Sequence, residues 1–388
     1  MTLQQNTGRI QTTHIGSLPR PHAVLDLLKA KLAAQAYDEK ALEAAIAKAV
    51  VESVKKQAEC GIDIVTDGEM SKAGFFTYIR ERLEGFEARP NQKAALFQAE
   101  VAAFPEYYEQ YFKEAMLGAA IMPAVPLVCV GPVKYTGDGA LQRDIANLKA
   151  AAKAAGVSED CVFMPATAPS GVGKNEYYKS EEEYLQAVAA AMSHEYKAIA
   201  AAGFLVQVDD PFLSDTFVEP GLSDAQKARR AEMNVEATNA ALRGIPVERI
   251  RFHTCYGINE GPRIHEASLA QVIGYVLKIN AGSFSFEAAN PRHEHEYHLF
   301  ERVKVPEGKV IVPGVVTHAS NIVEHPELIC ERLLRFAKLV GRENVIAGAD
   351  CGFSSQALYR TEVHPTVIWE KFKAMRQGAD LASKELWH

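Results

Sequence analysis

Short runs rich in β-branched residues alternate with long alanine-rich stretches along the whole chain, and that alternation admits few folds. The apolar runs are Ile10–Ile15, Ile62–Asp67, Val162–Ala166, Leu205–Asp209, Ile250–Cys255, Phe284–Ala288, Val310–Val316 and Val345–Asp350. Between them lie stretches with apolar residues at helical spacing, including Glu39–Glu59, Glu181–Ala202, Ser223–Arg243, Ser268–Asn280 and Pro326–Val340. Several helical stretches run out at a glycine (Gly61, Gly203, Gly282, Gly341), the residue that ends helices most readily. Helix, glycine, buried strand is the punctuation of repeated βα units. Eight such strands predict an α/β fold, a (β/α)8 TIM barrel, formed by residues 1–388 as one domain. A doubly wound open sheet is the alternative, but no G-x-G-x-x-G follows the first strand. The further run Pro126–Val130 is placed as a hairpin in a helical, aromatic insertion after the second strand, about residues 80–160. Phe75, Phe76, Tyr78, Phe86, Phe97, Phe104, Tyr107, Tyr108, Tyr111 and Phe112 concentrate in and just before it. Such density reads as a packed helical cap, or more sharply as a substrate wall or dimer contact.

Composition narrows the function classes. The chain is 48% hydrophobic and 23% charged with net charge -7, which gives no footprint for nucleic acid or an anionic membrane. No apolar run is long enough to span a bilayer, and Met1–Ile10 is polar, so a cytoplasmic location is expected. The six cysteines are scattered, which suits buried thiols or metal ligands rather than a disulfide framework.

Polar residues gather where strands end, the side of a barrel that carries chemistry. His14 and Ser17 follow the first strand, Asp67 and Glu69 the second, and Asp209 and Asp210 the fourth. His253 and Cys255 end the fifth, Glu287 the sixth, His318 follows the seventh, and Asp350 and Cys351 close the eighth. On an extended strand residues i and i+2 share a face, so His253 and Cys255 offer an imidazole and a sulfur together. Cys351 and Glu287 can supply two more ligands, and zinc accepts such a mixture. The plainer alternative is that these are core residues, since free cysteine is often buried. His293, His295 and His298 suggest a second cluster, but the run reads better as a loop and helix start.

Together these residues resemble the catalytic C-terminal half of the cobalamin-independent methionine synthases. The matching stretches are Ile15-Gly16-Ser17-Leu18-Pro19, Asp67-Gly68-Glu69, Val208-Asp209-Asp210-Pro211, His253-Thr254-Cys255-Tyr256, Phe286-Glu287 and Asp350-Cys351-Gly352. The resemblance implies Zn2+ held by His253, Cys255, Glu287 and Cys351. It further implies that Ile15, Ser17, Glu69 and Asp209 bind the amino-acid part of homocysteine, and that His318 is a catalytic proton carrier. The implied partners are a small-molecule thiol and a methyl donor, which is left open as a folate, a corrinoid protein or a small methyl compound. The family's tryptophan-bearing folate run corresponds here to Ala166-Thr167-Ala168-Pro169-Ser170-Gly171-Val172-Gly173, without an aromatic residue. His14 stands where those enzymes usually carry a small hydroxyl residue. Single-barrel relatives that join coenzyme M to epoxides give the alternative, alkyl transfer to another thiol, with Arg292 or Lys174 on the anion.

Overall fold

The computed structural model describes residues 8–92, 97–115, 120–121, 125–257 and 260–387. Residues 1–7 of the polar start, and parts of the expected insertion, lie outside them. Nine strands occur among the described residues: β1 (Leu83–Ala88), β2 (Leu127–Tyr135), β3 (Phe163–Thr167), β4 (Lys174–Asn175), β5 (Leu205–Asp209), β6 (Ile250–His253), β7 (Ser283–Phe286), β8 (Val310–Val316) and β9 (Gly348–Ala349). Six of them form one parallel sheet in the order β3-β5-β6-β7-β8-β9.

Each of these strands is buried throughout, as expected for a parallel sheet with both faces covered. Helices fill the connections: Glu181–Ala201 between β3 and β5, Asp224–Ala241 between β5 and β6, Leu269–Val276 between β6 and β7, and Pro326–Val340 between β8 and β9. The predicted helices match closely, except that the one expected over Ser268–Asn280 stops at Val276. The sheet is curled. Ile64, Phe163, Leu205, Val310, Val312 and Ile346 form a small apolar cluster of their own within it, separate from the main core. Each such side chain, fully buried, contributes about 1.5–3 kcal/mol of hydrophobic stabilisation. The guanidinium of Arg251 lies 3.9 Å over the Phe163 ring and donates to Thr13 Oγ1 and His14 O at 2.9 and 3.0 Å.

The expected first and second strands are reduced to single parallel bridges. Thr12 bridges to Ala347, Thr13 to Ile64, and Val65 to Val162. Side chains take over bonds that a longer ladder would use: the Thr12 N–H donates to Asp63 Oδ2 at 2.9 Å, and Thr12 Oγ1 donates to Gly61 O at 2.7 Å. The last expected strand, Val345–Asp350, shortens to β9 because the register shifts between Gly314 and Val316 of β8.

The stretch expected as a hairpin at Pro126–Val130 belongs to a second, three-stranded sheet. There β2 pairs antiparallel with β1 and parallel with β4. β2 is thus longer than the run that announced it. Among the described residues no helix is long and apolar enough to cross a membrane.

Candidate active site

Strand register aligns the chemistry. Thr167 of β3 pairs with Asp209 of β5, Asp209 pairs with His253 of β6, and His253 pairs with Ser285 of β7. Paired residues of a parallel sheet point to the same side, so Asp209 and His253 stand side by side at the carboxyl ends of their strands. The chain then turns sharply. Asp210 caps the helix Pro211–Val218 by accepting from the Leu213 N–H at 3.0 Å, and Pro211 fits the first helical position because it needs no donor there.

Cys255 follows His253 two residues on, and Cys351 follows β9. Their sulfurs lie 3.4 Å apart, too far for a disulfide, and both cysteines are free. Ligand atoms of His253, Cys255 and Cys351 all fall within 4.8 Å of one another. His253 is 2% exposed, and neither ring nitrogen makes a well-formed hydrogen bond, although the Ser285 backbone weakly favours the charged ring. An orphaned buried imidazole is costly unless something else meets it. Burial, with Arg251 and His318 nearby, pushes its pKa down to about 3, so it is a neutral donor at physiological pH. The Cys255 thiol is pushed well above its ordinary range by its hydrogen bond with Cys351, by burial, and by the charges of Cys351 and Glu287. A divalent cation would reverse that preference. One imidazole and two thiols therefore fit zinc chemically.

Glu287, directly after β7, is placed differently. It groups with His318 and Asp350, whose ligand atoms lie within 4.8 Å of one another. Its Oε2 accepts from Arg263 Nη2 at 2.6 Å and from Asn290 Nδ2 at 2.8 Å, while Oε1 accepts from the Tyr256 N–H at 3.3 Å. Asp350 Oδ1 accepts from the Ala288 and Ala289 N–H groups at 2.7 and 2.8 Å and so fixes the turn that carries Glu287. Neither Glu287 nor His318 lines the cavity beside the sulfurs.

That cavity, of about 340 Å3, is lined by His253, Cys255 and Cys351 and also by Ile15, Ser17, Glu69 and Asp209. Gly352 lets the wall close up, since a Cβ there would come within 2.0 Å of Ser17 Oγ. Gly16, at φ +138°, makes the turn between Ile15 and Ser17, and a Cβ would strike Pro165 Cγ at 2.7 Å. Glu69 itself adopts φ 58°, a conformation uncommon for a non-glycine residue. Its Oε2 accepts no hydrogen bond, and the nearest cations, Arg20 Nη2 and Lys72 Nζ, stand off at 3.6 and 3.7 Å. Burial and the neighbouring charge of Glu69 hold the Asp209 carboxyl well above the usual range, opposed in part by Lys72 and by Gln207 Nε2 donating at 2.9 Å.

His14 is turned away from this cavity. Its Nε2 meets Gln57 Oε1 at 2.8 Å and its Nδ1 accepts from the Gly16 N–H at 3.3 Å. Burial lowers its pKa to about 4, so it is a neutral strut behind the wall. Arg292 is exposed and outside the cavity, whereas Lys174 reaches its rim.

The three histidines after Glu287 do not come together as a metal cluster among the described residues. His293 stacks on Tyr256 with ring centres 4.1 Å apart, and its nitrogens meet Glu296 at 2.7 Å and Glu266 at 3.1 Å. His298 pairs with Glu301 on the surface. Burial works against the charge on His293, but the hydrogen bonds to Glu266 and Glu296 outweigh it and raise its pKa to about 9. A folded pKa above the unfolded value means stability that is complete below about pH 6.5 and lost as pH rises through about 9. His293→Asn is therefore expected to flatten the fall in unfolding free energy between those pH values. An unchanged slope in denaturant titrations would count against a charged His293.

Phe212 and Asp215, both on the helix after β5, line this cavity, and Arg263 supports it through Glu287, although no motif marks any of them. For Phe212 and Asp215 the one signal is position, since Asp-Pro after a strand end starts a helix at the mouth of the sheet.

The sequence profile of the family described as "Cobalamin-independent synthase, Catalytic domain" matches residues 10–101 and 100–370. A methionine synthase of Saccharolobus islandicus (strain Y.N.15.51) is 24% identical over 387 residues, covering 97% of this chain and 96% of the relative. The methionine synthase of Thermococcus kodakarensis is 22% identical over 381 residues, covering 97% and 94%. Among solved structures, a B12-independent methionine synthase from Shewanella sp. W3-18-1 in complex with selenomethionine superposes with a TM-score of 0.73 at 20% identity, over 97% of this chain and 99% of that one. A putative vitamin-B12 independent methionine synthase from Listeria monocytogenes gives 0.66 at 19%, with the same coverage.

Proposed function

Because the chain belongs to the catalytic-domain family of the cobalamin-independent synthases, we propose that it is a zinc-dependent methyltransferase that methylates the sulfur of homocysteine or a closely similar amino-acid thiol. The observation that carries this reading is the neutral, buried His253 beside two free thiols, in a cavity also lined by Glu69 and Asp209.

His253, Cys255 and Cys351 would hold the metal, with Glu287 as the fourth ligand after release from Arg263. When bound, zinc lowers the pKa of the substrate thiol so that it reacts as thiolate. Glu69 and Asp209 receive the α-ammonium group, and Ser17 with the backbone of Ile15 receives the α-carboxylate. Together they aim the sulfur at the metal ligands, so orientation supplies much of the rate. His318, which neighbours His253 although it does not line the cavity, takes up by relay the proton that the thiol gives up.

We read the curled sheet as a closed (β/α)8 barrel in one domain, with residues of about 80–160 inserted after its second strand. The bridges Thr12–Ala347, Thr13–Ile64 and Val65–Val162 support that closure.

The test is metal analysis of the purified protein together with methylation of homocysteine from a panel of methyl donors. Stoichiometric zinc with methionine formation is the expected result. A metal-free protein that still alkylates thiols would sink the reading.

A further inference from the structure

A second cavity, of about 960 Å3, opens beside the thiol cavity. The two share Phe97, Ser170, Gly173, Lys174, Phe212 and Asp215 in their walls. A molecule reaching the sulfur from the larger chamber passes this junction. At it Phe212 lies 6.2 Å from Phe75 in a stacked arrangement and 6.0 Å from Phe76 edge to face, and Phe75 and Phe76 are 5.0 Å apart. All three rings are partly exposed in the thiol cavity. They offer negative π faces and no hydrogen-bonding group.

The charge around the junction is one-sided. Asp215 forms no hydrogen bond or ion pair among the described residues; burial first, then the charges of Asp210, Glu266 and Glu219, raise its pKa to about 7, and a cation seated beside it would favour its ionised form. The larger chamber is lined by Glu100, Glu181, Asp215, Glu219 and Glu266 against Lys174, Arg229 and Arg230. Pairing takes from both sides: Arg230 neutralises Glu219, Glu266 meets Arg263 at 2.6 Å and His293 at 3.1 Å, and Arg229 is held by Glu182 at 2.8 Å, which leaves Glu100, Glu181 and Asp215 against Lys174. An anionic tail, whether polyglutamate or sulfonate, meets net repulsion there, whereas a cation is drawn in.

We propose that the methyl donor is an onium compound, a sulfonium or quaternary ammonium, whose charged centre sits against Phe75, Phe76 and Phe212 and is balanced by Asp215. The proposal rests on the thiol-methyltransferase reading and names the second substrate's class. The step balances without further reagents. The thiolate sulfur forms a bond to the methyl carbon, and the carbon–sulfonium or carbon–ammonium bond breaks with its electron pair staying on the leaving atom. That atom departs as a neutral thioether or tertiary amine. The thiol proton has already left, and the leaving group takes up none.

Binding tests the site apart from catalysis. By calorimetry on the purified protein, choline should bind at least about tenfold more tightly than 3,3-dimethylbutan-1-ol, its uncharged isostere, through cation–π and carboxylate attraction. Asp215→Asn should remove that preference by weakening choline alone. Equal binding of the two wild-type ligands overturns the proposal without need of any variant, and so does unaltered choline affinity in Asp215→Asn. In turnover, S-methylmethionine or trimethylsulfonium should methylate homocysteine. Methylation by methyltetrahydrofolate, its triglutamate or methylcobalamin, with the onium donors inert, overturns the donor class and leaves the thiol reading standing. Failure of every donor to methylate any thiol refutes the thiol reading itself, and with it the donor role.

Discussion

Cys255→Ala is expected to abolish stoichiometric metal binding and to lower thiol methylation at least about a thousandfold, ~4 kcal/mol of transition-state stabilisation. The cysteine is one of three groups whose donor atoms lie within 4.8 Å of one another, and its sulfur is 3.4 Å from that of Cys351. Without it the site keeps one thiolate, His253 and a Glu287 that Arg263 holds at 2.6 Å, too weak a set to retain the metal stoichiometrically. Elemental analysis reads this result independently of turnover. His253→Ala and Cys351→Ala should behave alike, because each removes one donor of the same small set. Glu287→Gln is the informative contrast. Its carboxylate is held by Arg263 at 2.6 Å, so the substitution should loosen the metal while also leaving Arg263 with Glu266 as its remaining carboxylate partner. Full metal content in Cys255→Ala, with methylation intact, would remove the basis of the proposed mechanism.

The pattern of strands and helices was legible because burial enforces it. Parallel strands such as Leu205–Asp209 and Val310–Val316 are covered on both faces and read as mainly apolar runs, the first interrupted only by Gln207 before Asp209 ends it. His253 and Cys255 were legible as a pair, but the strand expected over Ile250–Cys255 ends at His253, so Cys255 reaches the same place from the turn beyond it. Other features depend on partners that no local rule identifies. Val65 and Thr13 make single bridges rather than long ladders, and the Thr12 N–H donates to the Asp63 side chain rather than to a neighbouring strand. β2 finds β1 some 40 residues earlier, a pairing that apolar spacing does not encode. Arg263 reaches Glu287 from a loop, at φ 57°, and Glu100 fixes that loop by accepting from the Arg263 and His265 N–H groups at 3.2 and 2.6 Å. Nothing in the spacing of Glu100, Arg263 and Glu287 announces this chain of contacts. The orientation of His14 was equally illegible: it follows the first strand, and Gln57 on a helix draws its ring away from the cavity.

Glu69→Gln is expected to raise the KM for homocysteine by about 10–100-fold, the loss of one charge-assisted hydrogen bond worth ~1.5–3 kcal/mol. The argument begins from geometry. Glu69 is 1% exposed, its Oε2 has no hydrogen bond, and its nearest cations remain beyond 3.5 Å. Both cations are engaged elsewhere: Lys72 Nζ donates to Pro165 O at 2.6 Å, and Arg20 Nη2 donates to Lys72 O at 3.1 Å. A buried carboxylate left this open is poised for an ammonium group that comes with the substrate. The control is 4-mercaptobutanoate, which keeps the thiol and carboxylate of homocysteine and lacks its amine. The substitution should hardly change the KM of that thiol, and equal losses with both would assign Glu69 to structure instead. Asp209 adds a pH signature. Its carboxyl is raised well above the usual range by burial and by the charge of Glu69, so Asp209 holds a proton over a range where an exposed aspartate would be ionised. An α-ammonium bound between them favours the doubly ionised state, so binding expels that proton. Homocysteine affinity should therefore weaken as pH falls, and Asp209→Asn should remove that dependence, while 4-mercaptobutanoate should not show it in either protein.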